Sequence, residues 1–469
     1  MRLTILGGGG FRVPLVYGAL LSDRAEGRVT HVTLHDLDPA RLAAIARVLT
    51  DQAARARAEG VPDAPPAPEV RVTTDLDEAL RGADFVFSAI RVGGLAGRAA
   101  DERVALDEGV LGQETVGAGG IAYGLRTVPV AVDIARRVAR LAPDAWVINF
   151  TNPAGLVTEA MSRHLGSRVI GICDSPVGLA RRVARTLGVA DPAAARADYV
   201  GLNHLGWLRG LYVDDRDVLP ELFADPDRLA SFEEGRLFGT DWLRSLGSVP
   251  NEYLHYYYFN REAVTAYRQA KQTRGAFLHD QQARFYDELA AGQDPADPAA
   301  PAVREGAAWD AWDRTRAERE ATYMAENREA AGAGERTADD LESGGYEYVA
   351  LALMRAIARD ERTTLILNVR NRGVLSILDE AAVIEVPCVV DATGARPVAV
   401  SQLSGHEAGL VAAVKAVERC VLAAGESGSA QEAVKAFALH PLVDSVQVAR
   451  RLLEGYRGAH PGLGYLRKD

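Results

Sequence analysis

Thiol, imidazole, guanidinium, carboxamide and carboxylate side chains fall at the ends of successive apolar runs in this chain. Arg91 follows DFVFSA, Asn149 and Asn152 close the run that begins at Trp146, Cys173 and Asp174 follow RVIGI, and Asn203 and His204 follow YVGL. A ligand of an open parallel sheet lies beyond the carboxyl ends of its strands, so these are the side chains such a sheet would offer to it. Cys173 and His204 are distant along the chain, yet adjacent strands would bring them together. A thiolate and an imidazole can then hold a divalent cation while water or substrate hydroxyls complete its shell. Other uses stay open, since a strand-end cysteine also serves as a small buried hydrophobe and a histidine also simply hydrogen-bonds. In the aromatic run 253–259, Tyr253 is a potentially reactive phenol among packing residues.

A second group of residues has the pattern of a nucleotide site. Gly7 to Gly10 stand between a strand pattern and a helix pattern, where the turn must be tight and the backbone must approach a pyrophosphate. The third glycine of the dinucleotide fingerprint is absent, because Phe11 and Arg12 follow. Asp36 ends the second strand and would accept hydrogen bonds from the adenosine ribose, which favours NAD over NADP, or it caps the next turn. Gly7, Gly9, Gly10, Phe11, Arg12 and Asp36 are therefore the expected cofactor contacts. The glycine-dense loop 109–120 carries Gln113 and Glu114. It either wraps substrate and nicotinamide or makes a tight crossover. Cys388 and Cys420 read as core residues.

The elements that must position these groups alternate between strand and helix. Strands are expected at 2–6, 29–34, from 70, 84–89, 146–150, 168–172 and 199–202, with helices at 39–58, 77–80, 121–142, 156–165 and 177–187. This is the pattern of βαβ units around a parallel sheet. The fold class is α/β, a Rossmann-type parallel sheet with a mixed, mainly helical C-terminal domain, divided into 1–205 for the nucleotide and 206–469 for the substrate. Residues 291–306 read as a surface loop, and the highly charged 308–330 as a helix with a solvated face or a partner contact. Strands at 364–368 and 381–390 precede helices at 406–424 and 430–457, the latter interrupted at 440–442.

With 469 residues, 48% hydrophobic and 25% charged, the chain has the composition of a globular protein long enough for two domains. A formal charge of -11 argues against a nucleic-acid partner, whose affinity rests on dense positive charge. The first residues enter a strand pattern at once, without the features of an export signal. No apolar run is long enough to span a membrane. Three scattered cysteines suit a reducing compartment, so a cytoplasmic location is expected.

Taken jointly, GGGG near residue 7, IRVGGLAGRAADE at 90, GVLGQETVGAGG at 109, NFTNPAG at 149, GICDSP at 171, GLNHLGW at 201, NEYLHYYY at 251, NVRNRG at 368 and ALHPLVDS at 438 resemble the NAD- and metal-dependent glycoside hydrolases of family 4. The family includes 6-phospho-beta-glucosidases, 6-phospho-alpha-glucosidases, alpha-galactosidases and alpha-glucuronidases. The resemblance implies a fold like lactate and malate dehydrogenases and a dimer or tetramer. It also implies a hydrolysis that departs from the usual two-carboxylate scheme: NAD+ transiently oxidises the sugar at C3, the C2 proton is removed, and the aglycone leaves from C1.

Residue by residue, the resemblance assigns Cys173 and His204 to a divalent metal, typically Mn2+, and Tyr253 to removal of the C2 proton, for which its phenol must be lowered. It assigns Arg91, Gln113, Glu114, Asn152, Asn203 and Arg274 to substrate. Asp174 matches the general acid of the phospho-alpha enzymes, whereas GLNHLGW, NEYLHYYY, SGGYEY at 343 and LNVRNRG look closer to the phospho-beta group. The expectation is a 6-phospho-beta-glucosidase. The alternatives are a 6-phospho-alpha-glucosidase or another family-4 glycosidase, a simple NAD-dependent sugar dehydrogenase, or a nucleotide-sensing protein. The segment 291–340 departs from the shorter versions in the family.

Overall fold

The computed structural model describes residues 1–59, 65–291, 304–334, 336, 345–403 and 405–467. Six strands of the first part pair in parallel: β1 (Arg2–Leu6), β2 (His31–His35), β3 (Glu69–Thr73), β4 (Phe85–Ser88), β5 (Trp146–Asn149) and β6 (Val169–Gly171). Their order, β3-β2-β1-β4-β5-β6, is that of a Rossmann-type dinucleotide sheet. Helices cover both faces of the inner strands, which is why β1, β4, β5 and β6 read as largely apolar runs, whereas the edge strand β3 (EVRVT) stays exposed. Phe85, Phe87, Ile148 and Ile170 pack toward the helices Val13–Ser22 and Pro39–Ala58. Val86, Val147 and Val169 pack with Ala131, Ile134 and Val138 of the helix Gly117–Leu141. Local chemistry starts the elements in place: Asp38 accepts from the N–H groups of Ala40 and Arg41, and Pro39 occupies a first-turn position that has no use for an N–H.

The sheet continues across residue 205 in antiparallel pairing. It gains β7 (Arg196–Leu202), β8 (Leu205–Val213), β9 (Arg216–Asp217), β10 (Val249–Pro250), β11 (Thr363–Arg370), β12 (Val383–Asp391) and β13 (Gly394–Pro397). The full path is β10-β8-β7-β12-β11-β6-β5-β4-β1-β2-β3, with β13 on β12 and β9 on β8. This corrects two points of the sequence reading. His204 does not end a βα unit but sits in the turn of a hairpin, because LGWLRGLYV returns along β7 as β8. Nor do Cys173 and His204 follow adjacent strands, since β11 and β12 are inserted between β6 and β7.

The charged stretch expected as one helix forms two, Ala307–Ala321 and Ala325–Ala331. The last expected helix divides into Ala430–Leu439 and Val446–Ala459 around His440 and Pro441. Most of the loop expected at 291–306 lies outside the described residues. Among the described residues no helix is long and apolar enough to cross a membrane.

The glycine turn after β1 is a tight joint of the parallel half. Gly7 has φ +81°, and a Cβ there would lie 2.6 Å from the carbonyl oxygen of Ala89 at the end of β4. Gly7→Ala should therefore destabilise the protein by at least about 1–2 kcal/mol, the cost of a left-handed L-residue before any clash. A denaturation midpoint in urea unchanged from the parent would refute this account of the turn.

Candidate active site

The glycine turn is clamped from two sides. The N–H groups of Gly7 and Gly8 both donate to His35 O, Gly10 N donates to Gly7 O, and Gly9 N donates to Asp36 Oδ2 at 3.0 Å. With those donors engaged, the N–H groups of Phe11 and Arg12 are the ones for which no acceptor appears among the described residues. From the C-terminal part, Tyr286 Oη donates to Gly9 O at 2.6 Å, Trp312 Nε1 to Phe11 O at 2.8 Å and Tyr346 Oη to Arg12 O at 2.9 Å. The Arg12 guanidinium lies over the rings of Phe150 and Tyr346. Asp36 is half-buried and also accepts from Asp38 N, while the cap of the next helix falls to Asp38. The turn and Asp36 thus form a cradle suited to a dinucleotide.

Beyond β5, the buried Asn149 holds its own loop by donating to Thr151 O, Ala154 O and Thr158 Oγ1. Thr151 Oγ1 in turn accepts from Ile90 N. The next residue, Asn152, keeps its Oδ1 buried without a partner. Asn203 braces the hairpin turn, accepting from Ala154 N and donating to Glu385 Oε1. His204 then adopts φ +61°, a left-handed conformation uncommon outside glycine. Its ring stacks on Tyr253 with centroids 3.7 Å apart. The Tyr253 phenol shares a hydrogen bond of 3.2 Å with Tyr323 Oη and lies within electrostatic reach of Cys173. Imidazole and thiol are therefore both neighbours of the Tyr253 phenol, the first by stacking and the second through its electrostatic effect, and together they form the candidate metal pocket.

The electrostatics of that pocket follow from burial. Burial pushes the His204 imidazole down to about 4, leaving it neutral with a free lone pair at pH 7. Burial, with Glu385 and Asp174 nearby, pushes the Cys173 thiol well up. Burial and then Tyr323 push the Tyr253 phenol up as well, with Glu252 and Cys173 acting the same way; a neighbouring cation would supply the lowering expected of a base. Among the described residues no cluster of three or more His, Cys, Asp and Glu side chains could hold a metal. Cys173 and His204 would be a cation's side-chain ligands of these types, with its other positions open to water and substrate. The neutral imidazole, the thiol and the orphaned Asn152 oxygen fit such an ion.

Facing them is an excess of guanidinium groups. Glu114 pairs with Arg91 at 2.6 Å and Arg98 at 2.9 Å; burial raises its carboxyl, but the two arginines outweigh this and hold it well below the usual carboxylate range. The Arg274 guanidinium donates to Thr322 Oγ1 and Arg319 O, and burial with Arg98 lowers it to about 10. Arg319 is lowered further, by burial and then by Arg12, Arg274 and Arg98. Asp174 starts the helix Ser175–Thr186 without a side-chain cap bond and acts electrostatically on Arg12, Cys173 and Tyr323.

Most of the residues singled out in the sequence thus converge, with two qualifications. The amides of Gln113 and Asn203 turn into the framework, Gln113 Oε1 accepting from the N–H groups of Thr115 and Val116. Arg98, Thr115, Arg319 and Tyr323 join the site without having been foreseen. Arg319 lies in the helix Ala307–Ala321 and Tyr323 in the connection that follows, both in the charged stretch read as a solvated face or partner contact.

Comparison with known proteins identifies the family. Residues 2–189 match the family described as Family 4 glycosyl hydrolase, and residues 199–443 its C-terminal domain. A probable 6-phospho-beta-glucosidase of Bacillus subtilis is 32% identical over 84% of this chain and 82% of its own. A maltose-6'-phosphate glucosidase of the same organism is 30% identical over 96% and 94%. A crystal structure of the 6-phospho-beta glucosidase from Thermotoga maritima, with manganese, NAD+ and glucose-6-phosphate, aligns over 98% of both chains with TM-score 0.77 and 26% identity.

The buried carboxyl of Glu252, next to Tyr253, accepts from Ser175 Oγ at 2.6 Å. Burial, reinforced by Glu234, raises it from 4.5 to about 7. A carboxyl raised in the fold stays protonated there while the unfolded chain ionises, so stability falls as pH rises from 4.5 toward 7 and then levels. Glu252→Gln, which mimics the neutral acid, should match the parent near pH 4.5 and exceed it above pH 7 by on the order of 3 kcal/mol. Urea unfolding from pH 5 to 8 checks this; a difference that does not change with pH would refute it.

Proposed function

The chain belongs to family 4 of the glycosyl hydrolases, and we propose that its substrates are 6-phosphoglucosides, with 6-phospho-beta-glucosides as the first reading. It is a glycoside hydrolase that uses NAD and a divalent cation. The observation that carries the phosphate is Arg319, which has no carboxylate partner among the described residues and stands amid Arg12, Arg98 and Arg274. Placing like charges together at a half-buried site is unfavourable until an anion enters, and a phosphate offers several acceptors to guanidinium donors. A neutral sugar would leave the repulsion in place.

When bound, NAD supplies reversible oxidation at the sugar, and the cation supplies positive charge beside its hydroxyls and the Tyr253 phenol. In this reading Cys173 and His204 hold the cation, and the phosphate rests among Arg319, Arg274 and Arg12. Tyr253 takes the sugar's C2 proton, with Tyr323 holding its oxygen in place. Asn152 contacts the sugar, while Arg91, fixed by Glu114, lines the pocket. Asp174 gives a proton to the departing aglycone oxygen. The C-terminal helices limit water through Tyr286, Trp312 and Tyr346. Family membership also supports a dimer or tetramer and a cytoplasmic location.

The second reading is alpha specificity. It is favoured by Asp174, a carboxyl facing the pocket where an unactivated leaving group needs a proton, and by the near full-length match to a maltose-6'-phosphate glucosidase. Release of p-nitrophenol from the 6-phospho-beta-glucoside should require both NAD+ and Mn2+, and Tyr253→Phe should lower kcat by roughly a hundredfold or more. Activity without NAD+, or none across a panel that adds alpha-linked, unphosphorylated and glucuronide substrates, would overturn the assignment. Arg319→Gln should raise KM roughly 10- to 100-fold for phosphorylated substrates, and an unchanged KM would remove the phosphate from this pocket.

A further inference from the structure

The loop 109–120 uses its polar side chains on a different task from the one its composition suggests. Gln113 Oε1 lies 2.6 Å from Thr115 N and 2.8 Å from Val116 N. Both are donors only, so this atom is the amide oxygen and the side chain cannot be flipped. The Thr115 hydroxyl stands between that oxygen, at 3.1 Å, and His204 Nδ1, at 3.0 Å. With Nδ1 occupied by the hydroxyl, Nε2 is the nitrogen left to ligate a cation. A ligating nitrogen carries no proton, so the ring proton must sit on Nδ1. Only one assignment then places every hydrogen: Nδ1–H donates to Thr115 Oγ1, and the hydroxyl donates to Gln113 Oε1.

The geometry points to Thr115, held by Gln113, as the positioning residue that fixes the tautomer and orientation of His204 for its cation. This rests on the reading of Cys173 and His204 as metal ligands. Two restraints divide the work on the ring. Stacking on Tyr253, with an interplanar angle of 9°, sets the plane of the imidazole but is indifferent to which nitrogen carries the proton. The hydrogen bond to Thr115 selects the nitrogen. It also ties the left-handed hairpin turn of His204 to the entry of the helix Gly117–Leu141, because the two N–H groups that lock Gln113 belong to the residues just before that helix.

Thr115→Val removes the hydroxyl at nearly constant volume, and Gln113 keeps both backbone donors, so the loop retains its closure. With the enzyme saturated in NAD+, the electron paramagnetic resonance signal of free Mn2+ measures metal affinity. The dissociation constant should rise roughly 10- to 100-fold in Thr115→Val, return close to the parental value in Thr115→Ser, and leave NAD+ affinity unchanged. Activity should recover when Mn2+ is raised to saturation. Thr115→Ala gives the same measurement should the valine variant not fold. Mn2+ affinity within about twofold of the parent in both variants, or equal loss in Thr115→Ser, would overturn the positioning role. A His204→Asn control separates the two levels: if it too binds Mn2+ as the parent does, the ligand assignment itself fails and the positioning role with it.

Discussion

One buried carboxylate sits where the two halves of the sheet meet. The parallel half ends at β6 and joins the antiparallel half through the pairing of Gly171 with Asn368, and β12 joins β7 through Glu385 and Gly201. Glu385 is fully buried and accepts from Asn368 Nδ2 at 2.8 Å, Asn203 Nδ2 at 3.2 Å and Tyr199 Oη at 3.3 Å. Burial raises its carboxyl to about 7 even though all three donors oppose the rise. A polar group left unsatisfied at such a place costs far more than a satisfied one gains, so the three partners must be present together. They come from β11, from β7 and from the turn carrying His204. Through Asn203 the same network reaches Ala154, one residue past the loop of Asn152 and Pro153. Cys173 and His204 can therefore share a pocket although two strands separate the strands they follow.

The second constraint is electrostatic. Arg12, Arg98 and Arg274 all act on Arg319; Arg98 is paired with Glu102 and Glu114 and Arg12 lies near Asp174, whereas Arg319 has no ion-pair partner among the described residues. Folding alone does not favour this imbalance, and structural charge pairs elsewhere in the molecule show the contrast. Asp101 is matched by a bidentate Arg126 and by His460, and Lys415 by Glu159 and Glu418. Those buried groups are neutralised within the fold, as stability requires. Arg319 has no such match among the described residues, and an anion bound beside it would supply one.

What could be read from the sequence depended on whether an element's neighbours were local. The inner strands of the parallel half and the helix Pro39–Ala58 were legible because both faces of those strands are buried and the helix has its own cap and periodicity. The helix Gly94–Asp107 was not. Its buried face carries Arg98, Asp101 and Glu102, so the usual apolar stripe is replaced by charges: Arg98 and Glu102 pair within the helix, while Asp101 finds Arg126 and His460 far along the chain. The insertion of β11 and β12 was hidden for a related reason: pairings across some two hundred residues leave no local trace. In the site, Cys173, His204 and Tyr253 stood out by type and place. Arg319 and Tyr323 did not, because a charged amphipathic stretch looks the same whether one of its faces meets water or an anion.

The C-terminal part does more than cover the nucleotide half. The helices that send Tyr286 and Trp312 to the carbonyls of Gly9 and Phe11 begin or end with the pocket's guanidinium groups, Arg274 at the start of Arg274–Ala291 and Arg319 near the end of Ala307–Ala321. Phe11 packs edge-on against Phe285 and close to Trp312, so the turn and these helices share an apolar contact as well as hydrogen bonds. A densely packed contact of this kind moves as a unit rather than deforming gradually. Any shift of the two helices on filling the arginine pocket would be transmitted to the glycine turn, and ordering the turn around a dinucleotide would in turn hold the arginines in place. On the proposed assignment the two sites share one packed contact, and any coupling carried through it would act equally in both directions.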